Sequence, residues 1–419
     1  MVMIVERTIL HADLNNFYAS VECLYNPSIR QKPVAVCGDV EKRHGIILAK
    51  NELAKAYGVK TGEALWQAKE KCPGIVFVPP NYSLYLRYSK IAKEIYGEYT
   101  NQVESFGLDE CWLDVSGSTA LFGSGKNIAD EIRKRIRKEL GVTASVGVSF
   151  NKIFAKLGSD MKKPDATTVI TKENYKQSVW PLPVEDLLYV GRATTKKLKK
   201  YGIHTIGKLA AADTALLKQE LGINGVMLWQ FANGLDRNAV AKIDANPYIK
   251  SIGNSTTLPY DVSAEEDMKI TLYVLSESIA ERMREHDLHC STVQIGLRDK
   301  QLCYFERQGK LLYPTNNSET IFQKAFALYQ KYKPFFPVRS VSVRACHLSS
   351  PTPRQLSCLS DYKTMEKQEK AEKAIDTIRQ RFGHFSVQRA IMLNKKELSG
   401  LDPKADHVIH PIGFLGTRS

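Results

Sequence analysis

The sequence lacks any apolar run long enough to cross a bilayer, and its first residues carry no apolar segment of the kind that directs export. Its eight cysteines are scattered and never form a CxxC pair, so we expect reduced, mostly buried thiols. His286, His289 and Cys290 stand close together but have no matching second half, which argues against a zinc site. These absences predict a soluble, cytoplasmic protein with no membrane contact.

Acidic residues are also in short supply. The chain has 45 Asp and Glu residues against 59 Lys and Arg residues, a net charge of +14 at pH 7. Such an excess suits a polyanionic partner such as nucleic acid. With 419 residues, of which 43% are hydrophobic, the chain is long enough for about three domains with real cores. No cluster of carboxylates typical of an exonuclease is apparent.

Residues 9–22 read ILHADLNNFYASVE, and the rest of the chain is organised around them. An apolar, strand-like run ends at Asp13, and Phe17 then begins a helical pattern with Asn15 or Asn16 as its cap. A carboxylate at a strand end beside a helix start is well placed to hold a metal ion near a phosphate. On its own, Asp13 is more readily explained as the cap of a turn than as a metal ligand.

A second stretch, residues 103–115, reads VESFGLDECWLDV. The turn at Phe106 and Gly107 is followed by strand-like alternation, so Asp109 and Glu110 lie at the tip of a predicted hairpin. Magnesium prefers carboxylate and carbonyl oxygens and leaves positions open for substrate phosphates. Three carboxylates from two strand ends could hold two such ions about 4 Å apart, the arrangement used for in-line phosphoryl transfer.

Three motifs together now resemble a known family. DLNNFYASVE, SFGLDECWLD and SVGVSFNKIFAKLGSDMKKPD occur in the order and approximate spacing of the palm motifs of Y-family translesion DNA polymerases. The bacterial DNA polymerase IV branch is the most similar, and the resemblance extends from about residue 7 to about residue 395. It implies a template-directed DNA polymerase of low processivity that lacks proofreading and takes primer-template DNA and deoxynucleoside triphosphates as substrates.

The resemblance also implies an α+β fold with the right-hand architecture of polymerases: a ferredoxin-like palm, short fingers, a helical thumb and a separate α/β little-finger domain. Between residues 251 and 348 the pattern predicts four strands, with helices over 264–286 and 318–332, and a charged helix over 363–382. The implied domains are a palm at 1–14 and 81–172, fingers at 15–80, a helix-hairpin-helix-like thumb at 173–240, a linker at 241–250, a little finger at 251–350 and a tail at 351–419.

The motif residues then take the family's roles. Asp13, Asp109, Glu110 and the carbonyl of Leu14 would bind two magnesium ions, with the three carboxylates as the catalytic residues. The nucleotide would be held by Phe17, Tyr18, Lys55 and Lys163, and the Tyr18 ring would exclude a ribose 2′-hydroxyl. Within the lysine-rich third motif, Lys152 and Lys156 accompany Lys163.

Some positions depart from the family's pattern. Ala49 and Glu52 stand where many relatives carry Thr and Tyr to grip the triphosphate, and Lys55 replaces Arg. At the thumb turn, Gly191-Arg192-Ala193 replaces Gly-Ile-Gly, which adds a charge next to a DNA-binding backbone. Asn15 replaces a third acidic residue that is not normally a metal ligand.

The remaining expected contacts lie in the thumb, little finger and tail. The DNA backbone would meet Arg192, Arg298, Arg307, Arg339 and Arg344. In the tail, Gln355, Leu356 and Leu359 resemble the peptide that engages a sliding clamp, although Cys358-Leu359 replaces the usual Leu-Phe. We expect a monomer. Residues 395–419 suggest no role.

Two alternatives remain at this point. Nucleotide cyclases also use a ferredoxin-like palm with two metal ions, but they need neither a thumb, nor a little finger, nor a basic excess. A DNA-binding protein that keeps the fold without catalysis is the second alternative, and the intact carboxylates argue against it.

Overall fold

The computed structural model describes residues 7–38, 45–245, 249–350 and 362–403, with side chains from residue 366 in the last range. These residues form two compact units, one within 7–245 and one within 249–403. No helix of the described ranges is long and apolar enough to cross a membrane.

The first unit holds eight strands and twelve helices in its described part. In chain order they are β1 (Ile9–Leu14), α1 (Phe17–Tyr25), β2 (Val34–Cys37), β3 (Ile47–Lys50), α2 (Glu52–Ala56), α3 (Leu65–Lys71), β4 (Val76–Val78), α4 (Tyr82–Gly97), β5 (Val103–Ser105), β6 (Glu110–Asp114), α5 (Thr119–Phe122), α6 (Gly125–Arg135, continued by a π turn over Ile136–Leu140), β7 (Ala144–Ser149), α7 (Lys152–Met161), β8 (Thr167–Ile170), α8 (Tyr175–Ser178), α9 (Arg192–Lys200), α10 (Ile206–Ala210), α11 (Thr214–Leu221) and α12 (Ile223–Ala232), with 3₁₀ turns at Pro27–Ile29 and Val184–Asp186.

Five of these strands form the central sheet, in the order β5-β6-β1-β7-β8. Strand β1 lies in the middle, antiparallel to both β6 and β7, and all six of its residues are buried. The amphipathic helices α4 and α6 cover one face of the sheet, because their buried apolar residues share one core with β1, β6 and β7. The predicted strand at Asp13 and the predicted hairpin are therefore present as neighbours in one sheet.

Helix α7 lies against β1, β7 and β8. Its closest approach to β7 is where Gly158 meets Gly147. A Cβ atom at Gly147 would lie 1.9 Å from the carbonyl oxygen of Ala155, so no side chain fits between this strand and α7. This close approach brings Lys156 of α7 to the carboxyl end of β1.

Two smaller parts complete the first unit. Strands β3, β2 and β4 form a three-stranded sheet, which with α2 and α3 encloses its own small core. Helix α1 does not belong to that core, because Phe17 and Val21 are buried in the core of the central sheet. The region from Val179 to Ala232 packs around a further core, to which α7 contributes Phe154 and Leu157.

The second unit is built on one antiparallel sheet. Its elements are β9 (Ser251–Val262), α13 (Glu265–Glu285), β10 (His289–Arg298), β11 (Tyr304–Thr315), α14 (Ser318–Lys331), β12 (Val338–Ser349), α15 (Tyr362–Phe382) and α16 (Lys396–Ser399), with 3₁₀ turns at His384–Ser386 and Ala390–Leu393. The strand order is β11-β10-β12-β9, and α13 and α14 pack on one face of the sheet. The four predicted strands and the three predicted helices of this region are thus observed.

The chain after residue 362 packs into the second unit. Arg284 of α13 forms ion pairs with Glu372 and Asp376 of α15, and Glu277 accepts hydrogen bonds from Arg379 and Arg389. The α16 residue Leu398 is buried in the core of the second unit, in the stretch for which the sequence suggested no role.

Candidate active site

The ends of two neighbouring strands bring Asp13 and Glu110 together. Asp13 is the penultimate residue of β1 and lies directly opposite Glu110, the first residue of β6. The backbone amide of Leu14 donates a hydrogen bond of 3.0 Å to the carbonyl oxygen of Asp109, which fixes the hairpin tip against β1. The turn into β6 uses Gly107 at a φ of 139°, a conformation that suits glycine. Two sequence-distant motifs therefore form one acidic site.

Two lysines meet these carboxylates. Lys156 Nζ lies 3.2 Å from Asp13 Oδ2 and 2.9 Å from Glu110 Oε2, so its ammonium group stands between the two strands. Lys163, in the turn after α7, lies 2.6 Å from the same Asp13 oxygen. Among the described residues, no group of three or more His, Cys, Asp or Glu side chains is arranged to hold a metal ion by itself.

The carboxyl groups of the site have pKa values shifted by burial and by each other's charge. Burial, together with the charges of Glu110 and Asp13, raises the pKa of Asp109 to about 7. Burial would also raise the pKa of Glu110, but its contacts with His11 and Lys156 lower it below the usual range. A carboxylate whose ionisation is suppressed by its acidic neighbours is a natural ligand for a divalent cation. The residues present therefore fit a metal site.

Beside the carboxylates lies a group of aromatic rings. Phe17 is buried and Tyr18 is partly buried at the start of α1, and the Tyr18 ring stacks on Tyr85 of α4 at 4.2 Å and 8°. The edge of the group is Tyr82, whose ring is perpendicular to that of Tyr18. Burial and the charge of Asp109 raise the pKa of Tyr18 to about 12, so its hydroxyl stays protonated near neutral pH. Tyr85 was not anticipated from the sequence, because it lies in a separate helix.

The cap predicted for α1 is confirmed in its position but makes no capping hydrogen bond. Asn16 occupies the N-cap position, but it adopts a left-handed conformation with φ at 50° and its side chain makes no capping hydrogen bond. Its amide donates instead to Glu52 Oε1 of α2 at 2.8 Å. The same Glu52 oxygen lies 3.7 Å from Lys55 Nζ. Asn15 is buried and bonds Thr143 and Ser145, so it takes no part in the acidic site.

The third lysine of the motif points elsewhere. Lys152, at the start of α7, forms an ion pair of 2.7 Å with Glu104 and lies over the Trp112 ring at 4.5 Å. The grouping of Lys152 with Lys156 and Lys163 in sequence is therefore not a grouping in space.

A basic cleft opens beside helix α9. Arg192 is the first residue of α9. The N-cap residue of this helix is Gly191, which has no side chain to accept a hydrogen bond from the backbone N–H groups of the first turn. The cleft has a volume of about 1000 Å³. Its charged lining residues are Lys60, Glu185, Arg192, Lys196, Lys199 and Lys200.

The arginines of the second unit lie on different faces of its sheet. Arg298 and Arg344 alternate with core residues of β10 and β12, so they lie on the face that α13 and α14 do not cover. Arg307 pairs with the core residue Ile295 and stacks over Tyr332 at the end of α14, which places it on the helix-covered side. Arg339 lies where the pairing of β12 with β9 shifts register, and its face does not follow from alternation. Gln355, Leu356 and Leu359 lie outside the described residues.

Comparisons with known proteins now identify the family. Models of the impB/mucB/samB family and of its C-terminal domain match residues 12–160 and 249–358, and a model described as the DNA polymerase-iota thumb domain matches 185–236. A DNA polymerase IV of Acetivibrio thermocellus is 55% identical over 94% of this chain and 99% of its own length. This chain belongs to the Y family of DNA polymerases. It falls in the DNA polymerase IV branch.

Other relatives agree. A protein named DNA polymerase IV 2 from Bacillus subtilis is 38% identical over 93% of this chain and 96% of its own. The solved structure of a Y-family DNA polymerase chimera has a TM-score of 0.72, with 22% identity over 82% of this chain and all of that one, and shows the same fold. The predicted α+β polymerase fold is confirmed.

The family also decides the activity. This Y-family polymerase is a DNA-directed DNA polymerase of the low-fidelity, translesion type, with template DNA and nucleotides as its substrates. Both the cyclase and the non-catalytic DNA-binding protein are thereby set aside. The family's chemistry is metal-dependent.

Proposed function

We propose that Asp13, Asp109, Glu110 and the carbonyl oxygen of Leu14 hold two magnesium ions. The observation that carries this proposal is the Lys156 ammonium group held between Asp13 and Glu110 from adjacent strands. A position that already accommodates one positive charge between two carboxylates is suited to a cation with oxygen ligands. When bound, the two ions supply the charge that activates the primer 3′-hydroxyl and stabilises the departing pyrophosphate.

The protein's own contribution is positioning and charge. Strand β1 is fully buried and paired on both sides, so Asp13 and Leu14 have little freedom to move. Lys163 would exchange its contact with Asp13 for the incoming triphosphate, to which it offers a point charge. Phosphoryl transfer depends mostly on such alignment and electrostatic stabilisation.

For the nucleotide, we assign sugar selection to Tyr18. Its ring stacks on Tyr85, close enough to Asp109 for that charge to raise the Tyr18 pKa, and its planar face would exclude a 2′-hydroxyl by overlap. Phe17 supports it from the core. Lys55 would meet the triphosphate as a single cation whose charge is offset by Glu52 at 3.7 Å.

For DNA, we propose that the basic cleft at Arg192 and the open sheet face with Arg298 and Arg344 contact the phosphate backbone. Both surfaces present an excess of cations, although Lys199 of the cleft is paired with Glu185 at 2.9 Å. The backbone N–H groups of α9 add a site for one phosphate. We do not extend this role to Arg307, because it lies on the helix-covered side of its sheet.

For the partners and location, we propose that residues 355–359 bind a sliding clamp and that the protein works as a monomer in the cytoplasm. The tail sequence QLSCL supports the first point, since Gln355 and Leu356 match the polar and apolar anchors of clamp peptides. We also assign the palm, fingers, thumb and little finger to the ranges expected from sequence, with α1 packed on the palm core.

Iron-mediated cleavage tests the metal assignment. Fe²⁺ replaces Mg²⁺ and, with ascorbate and peroxide, produces hydroxyl radicals that cut the backbone near the ion. We expect cuts next to residues 13–14 and 109–110 that excess Mg²⁺ suppresses. A Glu110→Gln variant should lose both cuts, because Glu110 is a ligand of the metal site that both cleaved segments surround. Cuts confined to other parts of the chain would contradict the assignment.

A further inference from the structure

His11 lies directly behind the acidic site. It is two residues before Asp13 on β1, so the two side chains lie on the same face of the central sheet. Its side chain is completely buried. Nε2 lies 3.3 Å from Glu110 Oε2, and Nδ1 lies 2.9 Å from the hydroxyl of Ser159 on α7.

The surroundings of the imidazole are otherwise apolar. The Trp112 ring meets it edge-on at 5.1 Å, and Phe106 lies at 6.5 Å. A phenyl ring would fill such a pocket without the desolvation that a buried polar group costs. The polar atoms of His11 are therefore best explained by the two partners that they face.

Glu110 is held at only one of its oxygens. His11 and Lys156 both approach Oε2, at 3.3 Å and 2.9 Å. Among the described residues, this leaves Oε1 as the oxygen available to an ion. The Ser159 hydroxyl, 2.9 Å from Nδ1, donates its own proton to the carbonyl oxygen of Lys156, so the contacts of the imidazole run from Glu110 to the backbone of α7.

We propose that His11 is a positioning residue that holds Glu110 in the orientation needed to bind metal. This inference rests on the assignment of Glu110 as a ligand. The carboxylate would otherwise be free to follow the flexible Lys156 side chain, whereas the imidazole is fixed by β1 on one side and by α7 on the other. Removal of a residue that orients a metal ligand typically lowers metal affinity by about 10- to 100-fold.

The test measures metal binding without catalysis. Mn²⁺ binding to the full-length protein, without DNA or nucleotide, is followed by electron paramagnetic resonance for four variants. His11→Phe keeps the packing and should weaken binding by about 10- to 100-fold. His11→Gln offers an amide nitrogen near the position of Nε2 and should stay within about 3-fold of the wild type. Tyr96→Phe removes a buried polar atom from the core on the other face of the central sheet and should change nothing.

The fourth variant, Glu110→Gln, separates the two proposals. If it binds Mn²⁺ as the wild type does, the metal assignment itself fails. If it loses binding while His11→Phe retains full affinity, only the role of His11 is overturned. Melting temperatures and DNA binding of all variants verify the fold.

If His11→Phe does not fold, a second comparison decides. Asn places its amide nitrogen near the Nδ1 position, toward Ser159, and Gln places it near Nε2, toward Glu110. His11→Asn should therefore bind Mn²⁺ more weakly than His11→Gln, with a larger Mg²⁺ requirement for primer extension. Equal affinities for the two variants would overturn the proposal.

Discussion

The Tyr18 ring stacks on the Tyr85 ring with centroids 4.2 Å apart and planes inclined by only 8°. Tyr85 is held in turn by Glu22, because its hydroxyl donates a hydrogen bond of 2.5 Å to that carboxylate. The ring assigned to sugar selection is therefore supported from behind by a second ring that cannot easily move. A sugar pressing on Tyr18 would meet a rigid surface.

Replacement of Tyr18 by Ala should raise ribonucleotide incorporation sharply. The small side chain opens room for a 2′-hydroxyl, while the carboxylates and lysines that serve the phosphates remain in place. We expect the kcat/KM ratio of deoxyribonucleotide to ribonucleotide to fall by about 100-fold or more, a loss of about 3 kcal/mol of discrimination. Steady-state primer extension with both sugars measures this ratio.

Tyr18→Phe is the matched control, because it keeps the ring and removes only the hydroxyl. It should retain most of the discrimination. If the ratio stayed unchanged in an active Tyr18→Ala protein, Tyr18 would be a packing residue and the sugar would be selected elsewhere.

The metal-free protein should lose stability as the pH rises because of Asp109. Its pKa is about 7 when folded and near 3.8 when unfolded. The folded state therefore binds more protons between these values, and stability falls as pH rises through this window. The Asn side chain of the Asp109→Asn variant carries no charge at low or at high pH. Its advantage in unfolding free energy over the wild type should be about 1–2 kcal/mol larger at pH 8 than at pH 5, allowing for partial solvent screening.

Denaturant unfolding in the presence of a chelator measures this difference, and added Mg²⁺ should reduce it by stabilising the wild type. An advantage of Asp109→Asn that is the same at both pH values would show that the carboxyl group titrates normally.

Removal of Arg298 and Arg344 should weaken DNA binding and lower its salt dependence. Each phosphate contact that is lost reduces the slope of log K against log salt by about 1. Arg307→Ala is the internal control, since Arg307 lies over Tyr332 on the helix-covered side and should leave the slope unchanged. Fluorescence anisotropy with a primer-template duplex at several salt concentrations measures both. If all three substitutions lowered the salt dependence of DNA binding equally, the proposal that only the open face of the sheet contacts DNA would be contradicted.

Replacement of Gln355 and Leu356 by Ala should abolish stimulation of synthesis by the sliding clamp and leave synthesis without the clamp unchanged. The pair supplies the polar and the apolar anchor of the proposed peptide. Calorimetry with purified clamp measures the binding directly. Equal clamp affinity of the wild type and the double variant would exclude these residues as the main contact.

Local patterns in the sequence predict the elements of this fold well. The first strand follows from a short apolar run, predicted to end at Asp13 and observed to end at Leu14. The hairpin before Glu110 and the four strands of the second unit follow from period-two alternation and turn residues. The alternation also contains a signal for Arg307, because Phe305 and Leu311 on the same side of β11 are apolar and pack on the core. That arginine could have been assigned to the covered face from sequence.

Contacts between distant elements could not be predicted in this way. Tyr85 meets Tyr18 across 67 positions, and Ser159 meets His11 across 148, so neither pair leaves a local pattern. Lys152 is separated from Lys156 by one helical turn, yet the ion pair with Glu104 turns it away from the acidic site. Asn16 makes no capping hydrogen bond, because its backbone is left-handed rather than extended, and its amide nitrogen donates to Glu52. In each case, tertiary contacts determine the side-chain direction.

Single-turnover primer extension by Glu110→Gln, compared with the wild type on the same primer-template, tests the central claim most directly. The substitution keeps the size of the side chain and removes one negative charge from the proposed metal site. We predict a fall in extension rate of about 10³-fold or more, since several kcal/mol of transition-state stabilisation are lost, with DNA affinity nearly unchanged. Extension at the wild-type rate by a folded, DNA-binding Glu110→Gln protein would contradict the account.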